Sequence, residues 1–304
     1  MGIVVIGTVA IDDVVTPFGK NLGAPGGSAT YFSLSASCFT RVKLVAVVGR
    51  DFPKKHIRLF KKKNIDIEGL EQKRGKTFRW EGKYDWDLDN PETIATHLNL
   101  LKSFNPIIPQ AYKNEEMLFL ANIDPELQLK VLDQVQAKII AADTMNFWIE
   151  RKRDKLLEVL KRLDILIINE YEARQLTGEP NLLKACKKII SYGVRKAVIK
   201  KGENGVLFVS RGGFFVCPAY LMENAIDPTG AGDTFAGGFL GYLSKMKSYD
   251  DSAIKSALAY GSVMASFAVE SFDIKGLVGL TRIKIQKRLK DLKRVCSFGH
   301  RMRE

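Results

Sequence analysis

Short apolar runs rich in β-branched residues recur along the chain, each followed by a longer amphipathic stretch, and that alternation limits the fold more than any single motif does. The runs are Ile3 to Ile6, Val42 to Val48, Met117 to Ala121, Lys138 to Ala142, Ile165 to Ile168, Ala197 to Lys200 and Val206 to Val209. Helical periodicity lies between and after them, over Ala29 to Cys38, Pro53 to Lys63, Glu126 to Gln136, Lys152 to Arg162, Glu170 to Thr177, Leu182 to Tyr192, Gly232 to Met246, Asp250 to Glu270 and Lys284 to Val295. Strands separated by helices in this rhythm predict parallel βαβ units with right-handed crossovers, and hence a three-layer α/β/α sandwich around a mostly parallel sheet. No internal repeat or low-complexity linker interrupts the pattern. The whole chain, 1–304, is therefore expected as a single α/β domain, long enough to bury a large core without disulfides.

One stretch breaks the rhythm. Between Gly75 and Leu88, Phe78 and Trp80 stand two apart and Tyr84 and Trp86 stand two apart, around Glu81-Gly82-Lys83. That spacing predicts a hairpin with one aromatic face. A hairpin inserted in an α/β domain serves more often as a flap or an oligomer clasp than as part of the main sheet, so a small β lid is expected over about 14–22 and 75–98. It also offers a surface through which a homodimer can form.

Several function classes lose support. The start, Met1 to Gly7, is apolar for only a few residues and has no basic flank, so it reads as a buried first strand rather than a signal peptide. No run approaches the roughly 18 apolar residues of a membrane span, and no membrane partner is expected. Four cysteines lie far apart with no CxxC pair and only three histidines accompany them, which argues against a zinc site or a disulfide framework and for a reducing, cytoplasmic location. The formal charge of +13, from 47 Lys+Arg against 34 Asp+Glu, would also suit a nucleic-acid binder. Its basic concentrations, Lys61 to Lys63, Arg151 to Arg153 and Arg282 to Arg303, carry no helix-turn-helix, zinc-finger or RNA-binding aromatic pattern. They are expected to solvate the surface and to assist capture of an anionic small molecule, with no specific nucleic-acid partner.

The segment Asp227-Pro228-Thr229-Gly230-Ala231-Gly232-Asp233 is the most informative about chemistry. Proline ends what precedes it, and the small residues let backbone N–H groups converge where a helix begins. Such a terminus favours a phosphate oxygen, and an aspartate in its first turn can take the proton of an attacking alcohol, as phosphoryl transfer to a hydroxyl requires. The P-loop pattern GxxxxGKS/T is absent, and Gly230-Ala231-Gly232 is not continued as GxGxxG. Taken alone, the segment could equally be a glycine-rich helix packed closely on a strand.

It is accompanied by other motifs in order. The segment closely resembles the DTGAGD signature of the ribokinase-like (PfkB-type) carbohydrate kinase family. Gly26-Gly27 resembles that family's N-terminal diglycine, and Asp12, five residues after Gly7, occupies the place of its substrate-binding aspartate. Asn169-Glu170-Tyr171-Glu172 matches the NxxE motif, and Gly202 to Gly205, after Lys200-Lys201, is similar to the nucleotide-binding LGxxG turn. The resemblance spans essentially the whole chain. It implies an ATP-dependent phosphotransferase with Asp233 as catalytic base and Gly230, Ala231 and Gly232 as an anion hole. Asp12, Gly26, Gly27 and Tyr31 would hold the substrate. ATP would be contacted by Asn169, Glu172, Lys200, Gly202, Gly205 and Thr229, with Mg²⁺ held through water by Glu172 and the adenine near Tyr260 to Ser266. A monovalent cation such as K⁺ beside the anion hole is implied as well.

Each residue has a plainer explanation too. Asp12 can be a surface carboxylate, Glu172 a helix-start charge, Lys200 an exposed strand end, and His56, His97 and His300 belong to no catalytic constellation. The sequence also departs from the family pattern. Tyr31 stands where relatives carry an asparagine, and Asp143-Thr144-Met145-Asn146 resembles the family's D-x-N stretch with one residue added, so no role passes to Asn146. Both departures bear on the acceptor. Asp12 suits a vicinal diol, found in a free sugar and in a ribose alike. A small sugar or sugar derivative is the expected acceptor, with a nucleoside as the alternative; a polyanion-binding protein or a sugar-binding pseudokinase on the same fold are the rival classes.

Overall fold

The computed structural model describes residues 2–88, 91–246 and 248–297. Its central sheet has ten strands. From one edge they are β14 (Gly213–Cys217), β13 (Val206–Ser210), β12 (Lys196–Lys200), β11 (Ile165–Asn169), β10 (Ile139–Asp143), β9 (Met117–Leu120), β1 (Gly2–Ile6), β4 (Arg41–Gly49) and β5 (Ile65–Asp66), with β6 (Leu70–Lys73) also on β4. All pairs from β12 to β5 are parallel, and only β13 runs against the rest, pairing antiparallel with β12 on one side and β14 on the other.

Alternate residues of each strand feed two separate cores. In β1, Ile3 and Val5 pack on one face and Val4 and Ile6 on the other, all fully buried. The first face is covered by α1 (Ser28–Ala36), α2 (Lys54–Lys62), α8 (Ala231–Leu243), α9 (Asp251–Val269), α10 (Lys275–Val278) and α11 (Arg282–Cys296). The second carries α3 (Pro125–Leu132), α4 (Asn146–Arg151), α5 (Arg153–Leu160), α6 (Glu170–Thr177) and α7 (Leu182–Ser191). This is the three-layer sandwich that the alternating pattern predicts. The helix expected over Glu126 to Gln136 stops at Leu132, because beyond it the backbone turns to bond elsewhere, Gln136 N donating to Lys113 O at 2.7 Å. By length and composition α9 is apolar enough to cross a membrane, contrary to the expectation from the sequence; two thirds of its apolar window is buried here, packed against α8 and the sheet.

A second sheet of four strands stands apart, in the order β3 (Gly19–Gly26), β2 (Ala10–Thr16), β7 (Phe78–Lys83), β8 (Glu92–His97). It contains the segments expected as the lid, apart from residues 89 and 90, which lie outside the described residues. The hairpin is built differently from the expectation. Glu81, Gly82 and Lys83 form no turn; they lie inside β7, which pairs parallel with β2 and antiparallel with β8. The reason is steric: the Trp80 ring lies over Gly82, where a methyl group would sit 2.1 Å from it, so the glycine makes room for an indole within the strand. The single aromatic face is therefore absent. Tyr84 is buried and Trp86 is exposed, edge-on to Phe18.

Two helices set where the carboxyl ends of the strands open. The first-turn residues of α8 are aligned with α1 by close packing: a methyl on Gly237 would lie 2.4 Å from Phe32 O, and Ser35 Oγ donates to Thr234 O at 2.7 Å. Phe32 O is a backbone atom of a buried helix and has no rotamer to escape into. We expect Gly237→Ala to push α1 and α8 apart and to cost about 1–3 kcal/mol, the usual range for overpacking. Urea unfolding followed by circular dichroism would show it as a lower midpoint at unchanged slope; an unchanged midpoint would mean that the helices separate freely.

Candidate active site

The carboxyl ends of β10, β11 and β12 and the start of α8 deliver four charged groups to one place, the crevice where open α/β sheets bind ligands. Asp143 closes β10, Glu172 follows β11 in the first turn of α6, Lys200 closes β12, and Asp233 lies in the first turn of α8. Lys200 Nζ is 2.9 Å from Asp143 Oδ2. Burial pushes the Asp233 carboxyl up to about 7, with Asp143 adding to the rise and Lys200 opposing it. Burial likewise raises Glu172 to about 7, against Lys200 and with Asp143. For Lys200, burial works to lower the pKa but is outweighed by Asp143, Glu172 and Asp233, which hold it above its ordinary value.

The glycine-rich turn opens a helix as expected, with one change. Gly230 is the N-cap of α8 with φ 74°, a left-handed conformation that favours glycine, and Tyr31 packs its ring where a side chain would stand. The first i to i−4 bond of the helix runs from Thr234 N to Gly230 O, so the amides of Gly232 and Asp233 precede any helix carbonyl partner. Ala231 differs from expectation: its N–H already donates to Pro228 O at 3.0 Å. Thr229 N donates to Asp227 Oδ1 at 2.9 Å, which stiffens the loop behind the turn.

The diglycine explains itself on the other side of the site. A methyl on Gly26 would lie 1.7 Å from Asp12 Oδ2, so the carboxylate packs directly on the glycine. Gly27 caps α1 with φ 92° and ψ 150°, against the Thr8 carbonyl. Asp12 is buried, its Oδ1 has no hydrogen-bond partner, and burial, opposed by the Gly27 amide and reinforced by Asp227 and Asp233, pushes its carboxyl up to about 7. Tyr31 and Tyr84 stand beside it. Burial, together with Asp12 and Asp227, holds the Tyr31 phenol well above its usual range. Tyr84 reaches in from the end of β7, its hydroxyl 3.4 Å from Thr229 Oγ1.

The NxxE pair has a structural role that its spacing also encodes. Asn169 Oδ1 accepts from Glu172 N at 2.7 Å and Glu172 Oε2 accepts from Asn169 N at 2.8 Å, a complete capping box at the start of α6. Glu172 Oε1 and Asn169 Nδ2 remain. Gly202 and Gly205 bracket a short 3₁₀ turn that packs against the backbone of Cys217 to Ala219. The stretch Tyr260 to Ser266 is mostly core, with Tyr260 stacked on Tyr242 at 3.6 Å. The open groove begins one residue later and holds about 620 Å³ between Tyr220, Phe267, Lys275, Lys284, Lys287 and Arg288. It adjoins the anion-binding loop, since Ile226 N and Asp227 N both donate to Val269 O.

Three site residues carried no assignment in the sequence. Asp143 heads the D-x-N-like stretch whose asparagine, Asn146, is exposed and bonds only to Phe147 N. Asp227 opened the signature without a role of its own, and Tyr84 was grouped with aromatics that the structure disperses. A strand-terminal aspartate after Ile139 to Ala142 was the available signal for Asp143.

Among the described residues no three His, Cys, Asp or Glu side chains are placed to cage a metal directly. The cluster nevertheless suits a hydrated divalent cation. Three carboxylates share one ammonium, and burial, with repulsion from Asp143, raises Glu172 and Asp233; a nearby cation would favour their ionised forms.

A mostly parallel sandwich with charged groups at its strand ends and a small separate sheet defines the ribokinase-like class. Residues 6–274 match the pfkB family carbohydrate kinase profile, and the chain belongs to that family. It is 34% identical to the cytidine kinase of Thermococcus kodakarensis over 254 residues, 81% of this chain and 89% of that protein. The nucleoside kinase of Methanocaldococcus jannaschii superposes with a TM-score of 0.76 at 22% identity, covering 95% of this chain and 98% of the other. A putative ribokinase II from E. coli in complex with ATP and Mg²⁺ superposes with a TM-score of 0.78 at 19% identity, covering 95% and 99%. The chain is thus a sugar or nucleoside kinase.

The raised Asp233 carboxyl has a consequence for stability. Its folded value of about 7 lies above the ordinary 3.8, so the stabilisation from protonating it is full below the ordinary value and is lost as pH rises through 7. Asp233→Asn cannot ionise and keeps that stabilisation. We expect the variant to melt higher than the wild type at about pH 8 and the difference to shrink toward about pH 5. A pH-independent difference in differential scanning fluorimetry would contradict the burial of this charge.

Proposed function

We propose that the protein transfers the γ-phosphate of ATP to a hydroxyl of a nucleoside. The observation that carries this reading is Asp12 Oδ1, a buried acceptor with no donor, near enough to Tyr31 and Tyr84 for its charge to raise both phenols. A buried carboxylate oxygen without a partner is costly, and a substrate hydroxyl supplies the missing donor. A ribose diol can offer one hydroxyl to each Asp12 oxygen, while the tyrosines offer ring faces rather than amides to what the sugar carries. Between the small sugar or sugar derivative expected from the sequence and its nucleoside alternative, the nearby tyrosines and the similarity to the Thermococcus cytidine kinase favour the nucleoside.

Asp233 takes the hydroxyl proton as the oxygen attacks, a role for which a carboxyl near 7 is well matched. The amides of Gly232 and Asp233 and the positive end of α8 hold charge on the transferring group. The base of ATP rests in the groove of Tyr220 and Phe267, with the Gly202 to Gly205 turn beside it. Mg²⁺ would offset phosphate charge here; Glu172 Oε1 would accept from its waters, and Asn169 Nδ2 would donate to a phosphate oxygen. The four-stranded sheet acts as a lid that excludes water. In the same reading the chain is one domain working in the cytoplasm, and two copies meet through the lid, where Val15, Leu22 and Ile94 are exposed.

A coupled ADP-release assay with ATP, Mg²⁺ and equal concentrations of nucleosides and free sugars is expected to give kcat/KM for a nucleoside well above that for every sugar. The opposite order would overturn the choice of acceptor. Asp233→Asn is expected to lose about 10² to 10⁴ in kcat while ATP affinity stays near that of the wild type. Retained turnover would remove Asp233 as the base.

A further inference from the structure

Lys200 stands among three carboxylates yet is paired with one. Glu172 and Asp233 both lie close enough to hold its pKa up, but the ion pair, at 2.9 Å, is with Asp143. Asp143 is itself fixed from two directions. Its Oδ1 accepts from Thr144 N at 2.7 Å, which turns Oδ2 toward the lysine, and its backbone carbonyl accepts from Gln128 Nε2 at 3.2 Å. Both Asp143 and Gln128 are buried.

The pairing places the ammonium at a particular spot. A methyl on Gly232 would lie 2.9 Å from Lys200 Nζ, so the ammonium rests against the first turn of α8, beside the amides of Gly232 and Asp233. A cation at the positive end of a helix is disfavoured by the helix itself, and an adjacent carboxylate must hold it there until an anion arrives. If Asp143 were absent, Lys200 would turn toward Glu172 or Asp233, away from the turn and onto the base.

We propose that Asp143 is a positioning residue that holds the Lys200 ammonium against the first turn of α8, where it meets the phosphate chain of bound ATP. The proposal rests on the kinase reading above and adds to it a residue that touches neither substrate. Asp143 acts only through Lys200, so the two side chains form one unit. A purely structural contribution of Asp143 to the strand end would instead be independent of what stands at position 200.

A double-mutant cycle of Asp143→Asn and Lys200→Met separates these cases, read by calorimetric titration with MgATP and by steady-state kinetics. Each single variant is expected to weaken ATP binding by roughly tenfold, as loss of a charge-assisted contact does, with the acceptor KM unchanged. The double variant is expected to bind no more weakly than Lys200→Met alone. Multiplicative losses, or an Asp143→Asn protein that binds ATP as the wild type does, would overturn the proposal while leaving the kinase reading intact. A wild-type protein that binds no ATP would overturn both. Lys200→Met leaves a buried carboxylate unpaired; if it folds poorly, Lys200→Gln, neutral but able to donate to Asp143, closes the cycle for the charge. Thermal melting gives a second readout, since adding Asp143→Asn to Lys200→Met is expected to raise its midpoint, and a further fall would count against the pair.

Discussion

The approach of α1 to α8 is the constraint on which the site depends. Each helix begins on a glycine with positive φ, Gly27 and Gly230, and the two run so close that a single methyl on Gly237 meets a carbonyl of the other. Tyr31 of α1 lies on Gly230, the first residue of the anion-binding turn. Tyr31 and the first turn of α8 are therefore carried on one packed pair of helices. Asp12 joins them from the second sheet: it lies in β2 and packs on Gly26, two residues before α1 begins.

Around that pair the charges are arranged at some cost. Asp12, Glu172 and Asp233 each have their carboxyl raised to about 7, in every case chiefly by burial; Lys200 opposes the rise at Glu172 and Asp233, and the Gly27 amide opposes it at Asp12. Unliganded, the crevice holds more negative charge than it can neutralise and an acceptor oxygen on Asp12 with no donor. In the proposed reaction a substrate hydroxyl would supply the donor that Asp12 lacks, and a cation would offset the carboxylate charge. A site strained in this way is stabilised by its ligands in proportion to what it lacks.

Much of the architecture was legible because one physical rule, burial of both sheet faces, writes itself into continuous apolar strands and periodic helices. Seven parallel or edge strands and the main helices lie where the pattern puts them, within a residue or two at most ends. Where reading failed, a side chain overruled local preference. Glu81-Gly82-Lys83 has the composition of a turn, yet Gly82 serves as a seat for Trp80 within a strand. Asp143 escaped notice for another reason: its partner, Lys200, lies 57 residues away, and only the parallel pairing of β10, β11 and β12 brings them together. The glycine-rich turn was legible as a helix start, but that Ala231 spends its amide on Pro228 depends on a backbone path that composition does not encode.

The capping box at the start of α6 has an evolutionary side. Asn169 and Glu172 close both ends of a reciprocal hydrogen-bonded pair, so their side chains hold a helix together whether or not a metal is ever bound. Asp233 does the reverse, since its ionised form burdens the fold. If a descendant of this chain ceased to transfer phosphate, drift would discard the aspartate early and keep the Asn-Glu pair for generations. In this chain the NxxE letters encode a stable helix start, whereas the fold alone gives no reason to keep a carboxylate at position 233.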